Sequence, residues 1–189
     1  MRLRKKASWL ACGLSVFVAA ATYAQTGAET FTATAAMSGA GGAKASAPVT
    51  ITIDRKTPAG EAERLAAAFN SGGAAALRKA LVGVAPAGSV RLGAGKPTPA
   101  RLAIERTTDK GRLLTIVTDQ PIVFLGAGVP SAKPKEGYDF AVVDLEVDAS
   151  GKGTGTFAPA AKITVKQGAF VVEDYSAELV RLTDISKSK

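Results

Sequence analysis

Asp144, Glu146 and Asp148 alternate with Val143, Leu145 and Val147, a spacing at which acidic side chains could act together. Extended chain repeats every second residue, so a strand here carries all three carboxylates on one face and the aliphatics on the other. Such a row can hold a divalent cation or polarise a substrate. The same pattern also makes the wet face of an antiparallel strand, with Lys162 and Lys166 opposite on the next strand. Glu173, Asp174 and Tyr175 form a second acidic group. If Asp174 approaches the Asp144 row, mutual repulsion raises one carboxyl pKa, as a general acid requires. Ser131, Lys133 and Lys135 supply the types for a Ser–Lys nucleophile, but Pro130 and Pro134 make that loop a poor rigid support.

Three familiar patterns fail on their own requirements. Arg91–Thr98 reads RLGAGKPT, yet Pro97 stands where a phosphate-binding loop needs Ser or Thr for magnesium, and Val90 stands where it needs its first glycine. Gly126, Ala127 and Gly128 follow an apolar strand, but Pro130 and the SAKPK run at Ser131–Lys135 open no helix to receive a pyrophosphate. Asp148–Gly153, DASGKG, places Lys152 where a calcium loop needs an oxygen. It reads as a hairpin turn.

Composition removes more chemistry. The 189-residue chain has no histidine, and its single Cys12 and single Trp9 both fall near the start. There Arg2, Arg4, Lys5 and Lys6 precede an apolar run from Ala7 to Ala21, closed by the small residues Ala19, Ala21 and Ala24. A basic region, a short apolar core and small residues in that order make a secretory signal. The core is shorter than the roughly 20 residues that span a bilayer. Cleavage is expected after Ala24, and Cys12 is expected to be part of the apolar core rather than a lipidation site. Removing residues 1–24 takes four of the 24 basic side chains and none of the 16 acids, which leaves a formal net charge of +4.

The remaining 165 residues suffice for one domain with a core of its own. That domain has no thiol, so no disulfide, zinc–thiolate site or cysteine nucleophile, and no imidazole for a triad. Basic residues are scattered among acids rather than gathered into a stripe, which argues against nucleic acid.

The elements that must position these residues follow from periodicity. Glu29–Met37 alternates Phe31, Ala33 and Ala35 with Thr30, Thr32 and Thr34, and Val49–Asp54 alternates likewise. The two read as an antiparallel hairpin turned at Ser38–Ala45. Thr57 is placed to cap a helix that starts at Pro58 and carries Ala62, Leu65, Ala66 and Phe69 on one stripe. Asn70, Ser71 and Gly72 end it, and a second helix runs to Val82 with Leu77, Ala80 and Leu81 inward and Gly83 as its stop. As a DNA-binding helix-turn-helix, the pair would offer only Arg78 and Lys79 to a groove.

A connector rich in proline and glycine from Pro86 to Pro99 leads into strands at Arg101–Arg106, Arg112–Thr118, Tyr138–Asp148, Thr154–Lys166, Ala169–Asp174 and Glu178–Ile185. Strands, then helices, then strands predict an α+β class. The sheet should be mainly antiparallel, of about seven to nine strands, with a two-helix hairpin inserted after the first strand pair.

Lys133–Val165 (KPKEGYDFAVVDLEVDASGKGTGTFAPAAKITV) together with Gly168–Tyr175 (GAFVVEDY) resembles small exported bacterial proteins of unknown function. The resemblance implies export and a single α+β domain, and supplies no catalytic residues. The expectation is therefore a signal peptide at 1–24 and one exported domain at 25–189, periplasmic or extracellular. It has no cofactor, no nucleic-acid partner and no membrane span after cleavage. It is expected to be non-enzymatic and to bind a small apolar or amphipathic ligand or a protein partner. The alternative is a carboxylate-dependent hydrolase or divalent-metal-dependent enzyme using Asp144 and Glu146, with Asp174 as a further catalytic candidate.

Overall fold

Alternating threonine and apolar residues make β1 (Glu29–Ser38) and β2 (Lys44–Ile53) an antiparallel pair in unbroken register from Glu29↔Ile53 to Ser38↔Lys44. The computed structural model describes residues 27–38, 44–122, 137–166, 169–174 and 180–188. After β2 come the helical element α1 (Ala59–Val82) and then seven strands. These are β3 (Gly88–Leu92), β4 (Thr98–Thr108), β5 (Gly111–Thr118), β6 (Phe140–Val147), β7 (Gly153–Lys166), β8 (Ala169–Asp174) and β9 (Val180–Lys187).

The strands lie in the order β6-β5-β4-β3-β2-β1-β9-β7-β8, every pairing antiparallel, and β6 also pairs with β7. That last pairing closes the sheet. Eight strands form a barrel, and β8 continues the distal half of β7, from Ala161↔Asp174 to Lys166↔Ala169. This overturns the expected fold class. The protein is a closed, mainly β barrel with one helical element, not an open α+β sheet carrying a two-helix hairpin. Periodicity marks which side of a strand is apolar but is silent on whether the sheet's two ends meet.

An eight-stranded barrel is just wide enough for side chains to fill. Phe31, Ile51, Leu114, Leu145, Phe157 and Leu182 point inward from six strands and are at most 2% exposed. The opposite parity faces out. On β1, β2 and β9 it presents Thr30, Thr32, Thr34, Thr50, Thr52, Arg181 and Ser186, exposed or half-buried. A barrel immersed in lipid has the reverse polarity, apolar outside and polar within, so this wall suits water. No described helix is long and apolar enough to cross a membrane.

On the other side, α1 lies over the outer wall. Leu65, Leu77 and Leu81 pack on Leu102, Val117, Phe140, Val142, Ala161 and Ile163, the outward residues of β4, β5, β6 and β7. Val117, at the far end of β5, is thereby covered on the outer wall while Leu114 and Ile116 fill the lumen. Within α1 the backbone leaves helical angles at Gly72 and Gly73, and Gly73 adopts φ 65°, which glycine accepts without steric cost. The break falls where the sequence predicts an end, but the two arms join in one kinked element. Thr57 does not cap it: its hydroxyl accepts the Ala103 amide at 2.9 Å, and Pro58 holds the cap position without a side-chain hydrogen bond.

Candidate functional site

The acidic row begins where α1 stops covering β6. Phe140 and Val142 are under the helix, whereas Asp144 and Glu146, on the same outward parity, stand half-exposed on the open wall. Asp144 lies between Thr115 on β5 and Thr156 on β7, and accepts the Thr115 hydroxyl at 2.6 Å. Glu146 accepts the Thr108 hydroxyl at 3.4 Å and stands 3.8 Å from Lys110.

Asp148 has left the strand. Its Oδ1 accepts the Ser150 hydroxyl at 2.7 Å and the Ser150 and Lys152 amides at 2.8 and 3.0 Å. The Ser150 hydroxyl first, then the Lys152 amide, hold its carboxyl below the usual aspartate value. This is the turn expected at Asp148–Gly153, with the aspartate spent on closing it.

The three acids therefore do not converge. Lys162 is not opposite them either, since it pairs with Glu173 on β8. Asp174 is opposite Ala161, whose partner on β6 is Phe140, four residues along the strand from Asp144. The Asp174 side chain, Ser131, Lys133, Lys135, Gly126, Gly128, Tyr175, Cys12 and the cleavage point at Ala24 lie outside the described residues. Among the described residues, no group of three or more potential ligands is placed to hold a metal ion.

A different cluster closes one mouth of the barrel. Glu29 shares the inward parity of Phe31, Ala33 and Ala35, and is the only charged residue in the described core, at 7% exposure. Arg112, inward with Leu114 and Ile116, grips it with two hydrogen bonds of 2.9 and 3.0 Å, and its guanidinium lies 5.8 Å from the Phe31 ring centre. Lys187 at the end of β9 reaches the same carboxylate at 2.6 Å. Glu105 on β4 accepts from Arg112 at 3.1 Å and from Lys56 at 2.6 Å. Burial on its own would raise the Glu29 pKa. The hydrogen bonds and charges of Arg112 and Lys187 outweigh it and hold the carboxyl below its ordinary 4.5. In return the Glu29 hydrogen bonds raise Arg112 above its ordinary value, against the effect of burial. Every carboxylate here has a cation, so the cluster is a plug over the apolar lumen rather than a reactive centre.

Sequence reasoning passed over this plug, although a signal was there. Glu29, Arg112 and Lys187 are each a charge on the apolar parity at the end of an alternating strand.

The third feature is a groove of about 460 Å³ beside the second arm of α1, lined by Ala75, Arg78, Lys79, Val82 and Asp139. Helical spacing brings Ala75, Arg78, Lys79 and Val82 to one face. Val82 is 58% exposed, the one large apolar side chain so exposed among the described residues. Arg78 reaches Asp139 at 3.5 Å, a long and half-exposed ion pair of small worth, and Lys79 has no ion pair among the described residues. Small and apolar side chains next to two cations suit a ligand with an apolar body and an acidic head.

No known protein family, curated protein or solved structure matches the chain.

Proposed function

We propose that this is an exported, non-enzymatic barrel domain that binds an amphipathic anion on its outer surface, in the groove beside the second arm of α1. The observation that carries the reading is the pairing of Val82 and Ala75 with Arg78 and Lys79 around one volume. The groove is open to solvent, so a ligand would lie along the helix surface with its acidic head at Arg78 and Lys79. The lumen, where a barrel of larger bore would hold an apolar ligand, is occupied by the protein's own phenylalanine, leucine and isoleucine side chains. Export rests on the N-terminal pattern of residues 1–24. The carboxylate-dependent alternative needs Asp144 and Glu146 to meet over one reacting group. They instead stand one strand repeat apart, each with a threonine hydroxyl and open to water.

Isothermal titration of the mature protein with dodecanoate and with the uncharged dodecanol tests the proposal. Dodecanoate should bind saturably and the alcohol at least about tenfold more weakly, a difference of 1.4 kcal/mol. Arg78→Glu with Lys79→Glu should remove the preference. Equal binding of the two compounds, or no saturable binding of dodecanoate, overturns it.

A further inference from the structure

β9 is the last strand, and it closes the barrel by pairing with β1 on one side and β7 on the other. Its mouth-side end is set apart from the rest. An extra residue in β9 shifts the register against both neighbours, between Thr32 and Thr34 on β1 and between Gly153 and Gly155 on β7. Asp184, within that bulge, is the one described non-glycine residue with positive φ, at 54°. A bulge interrupts the ladder and bends the strand, and a left-handed aspartate makes the interruption sharper.

Beyond the bulge, Ile185 is buried in the core. The segment resumes its ladder there, with Ile185 opposite Gly153 on β7 and Ser186 and Lys187 opposite Thr32 and Phe31 on β1. Outside the ladder it is tied by the Lys187 amide to Gly151 O, the Ser188 amide to Thr30 O, the Thr32–Ser186 hydroxyl contact and the Lys187–Glu29 ion pair.

We infer that this mouth is an acid-sensitive latch: protonation of Glu29 releases Lys187 and lets the segment after Asp184 part from β1 and β7 while the rest of the barrel stays paired. The charge balance gives the direction. The groups facing Glu29 are Arg112 from β5 and Lys187 from β9, with Glu105 from β4 and Lys56 after β2 completing the cluster. With Glu29 ionised, three cations face two carboxylates. Protonation of Glu29 removes the carboxylate that Lys187 contacts, and Lys187, already 38% exposed at the strand end, is the cation best placed to leave for water.

Because Glu29 titrates below its ordinary 4.5, the ionised form stabilises the closed mouth above that pH. The contribution is lost as pH falls through the folded-state value.

Hydrogen exchange followed by mass spectrometry, corrected for intrinsic rates, reads the latch strand by strand in the mature protein. As pH falls below 4.5, peptides covering Ile185–Ser188 should lose protection, by up to roughly tenfold per unit of pH until the folded Glu29 value is passed, and level off below it. Peptides of β4 and β5 should keep theirs. Glu29→Gln should show the opened end at neutral pH with no further acid step. Should that variant fail to fold, Lys187→Met keeps the Glu29–Arg112 pair and should show the same opened end. Loss of protection in all strands together, an end that stays protected in acid, or an acid step that survives either substitution overturns the inference.

Discussion

The outer face of β6 and the mouth above Phe31 both gather carboxylates, and they do opposite things with them. On β6 the acids are neighbours in sequence, project to one side, and stay wet. At the mouth Glu29 and Arg112 lie 83 positions apart, Glu29 and Lys187 158 apart, and closure of the barrel brings them together over the lumen, with the Glu29 carboxylate buried and Lys187 partly exposed. A charge row that can be read directly from a strand is cheap because water solvates each member. Charges placed on the apolar parity must be paired by the fold or they forbid it. Spacing along the chain therefore points to the less consequential of the two groups.

The comparison can be broken most sharply at Arg112. Arg112→Ala leaves Glu29 buried with Lys187 alone, and chemical denaturation should show a loss of about 3–5 kcal/mol. A loss below about 1 kcal/mol would mean that the mouth is as wet as the β6 wall. Glu29→Gln retains an acceptor and loses the charge, so it should cost about 1.5–3 kcal/mol at neutral pH, and the difference from the parent should shrink as pH falls below 4.5.

On β6, Asp144→Asn keeps an acceptor for Thr115 and should cost no more than about 1 kcal/mol. Smallest of all, Glu146→Gln should change stability by less than about 0.5 kcal/mol. Millimolar calcium or magnesium should leave its melting temperature and the parent's alike. A cation-dependent rise in the parent that Glu146→Gln abolishes would make the wall a metal site and invert the comparison.

Most strands were legible because one residue in two is apolar along them, whereas Gly72 marked the break in α1 but was read as the end of one helix before a second, not as a kink within one element. β3 was not legible. Its Ser89, Val90, Arg91 and Leu92 are embedded among Pro86, Gly88, Gly93 and Gly95, and read as connector. Closure was not legible either, since an inward-facing parity looks the same in an open sheet covered by helices and in a barrel. At Gly153 and Gly155 on β7 a side chain would run into Glu146 O and Asp144 O of β6. The groove beside α1 was half legible, since the sequence places Arg78 and Lys79 outward but not against Asp139.

Closure by the final strand also sets an order of events. β1 finds β2 by a short connection, but its other partner, β9, is the ninth strand in chain order. Contacts between distant parts of a chain carry a loop-closure cost that slows folding. The hairpins from β1 onward can form early, yet the lumen stays open along the β1–β9 seam until Val180–Lys187 has joined. Completion of the barrel thus waits, by connectivity alone, for the eight-residue β9 to seat between β1 and β7.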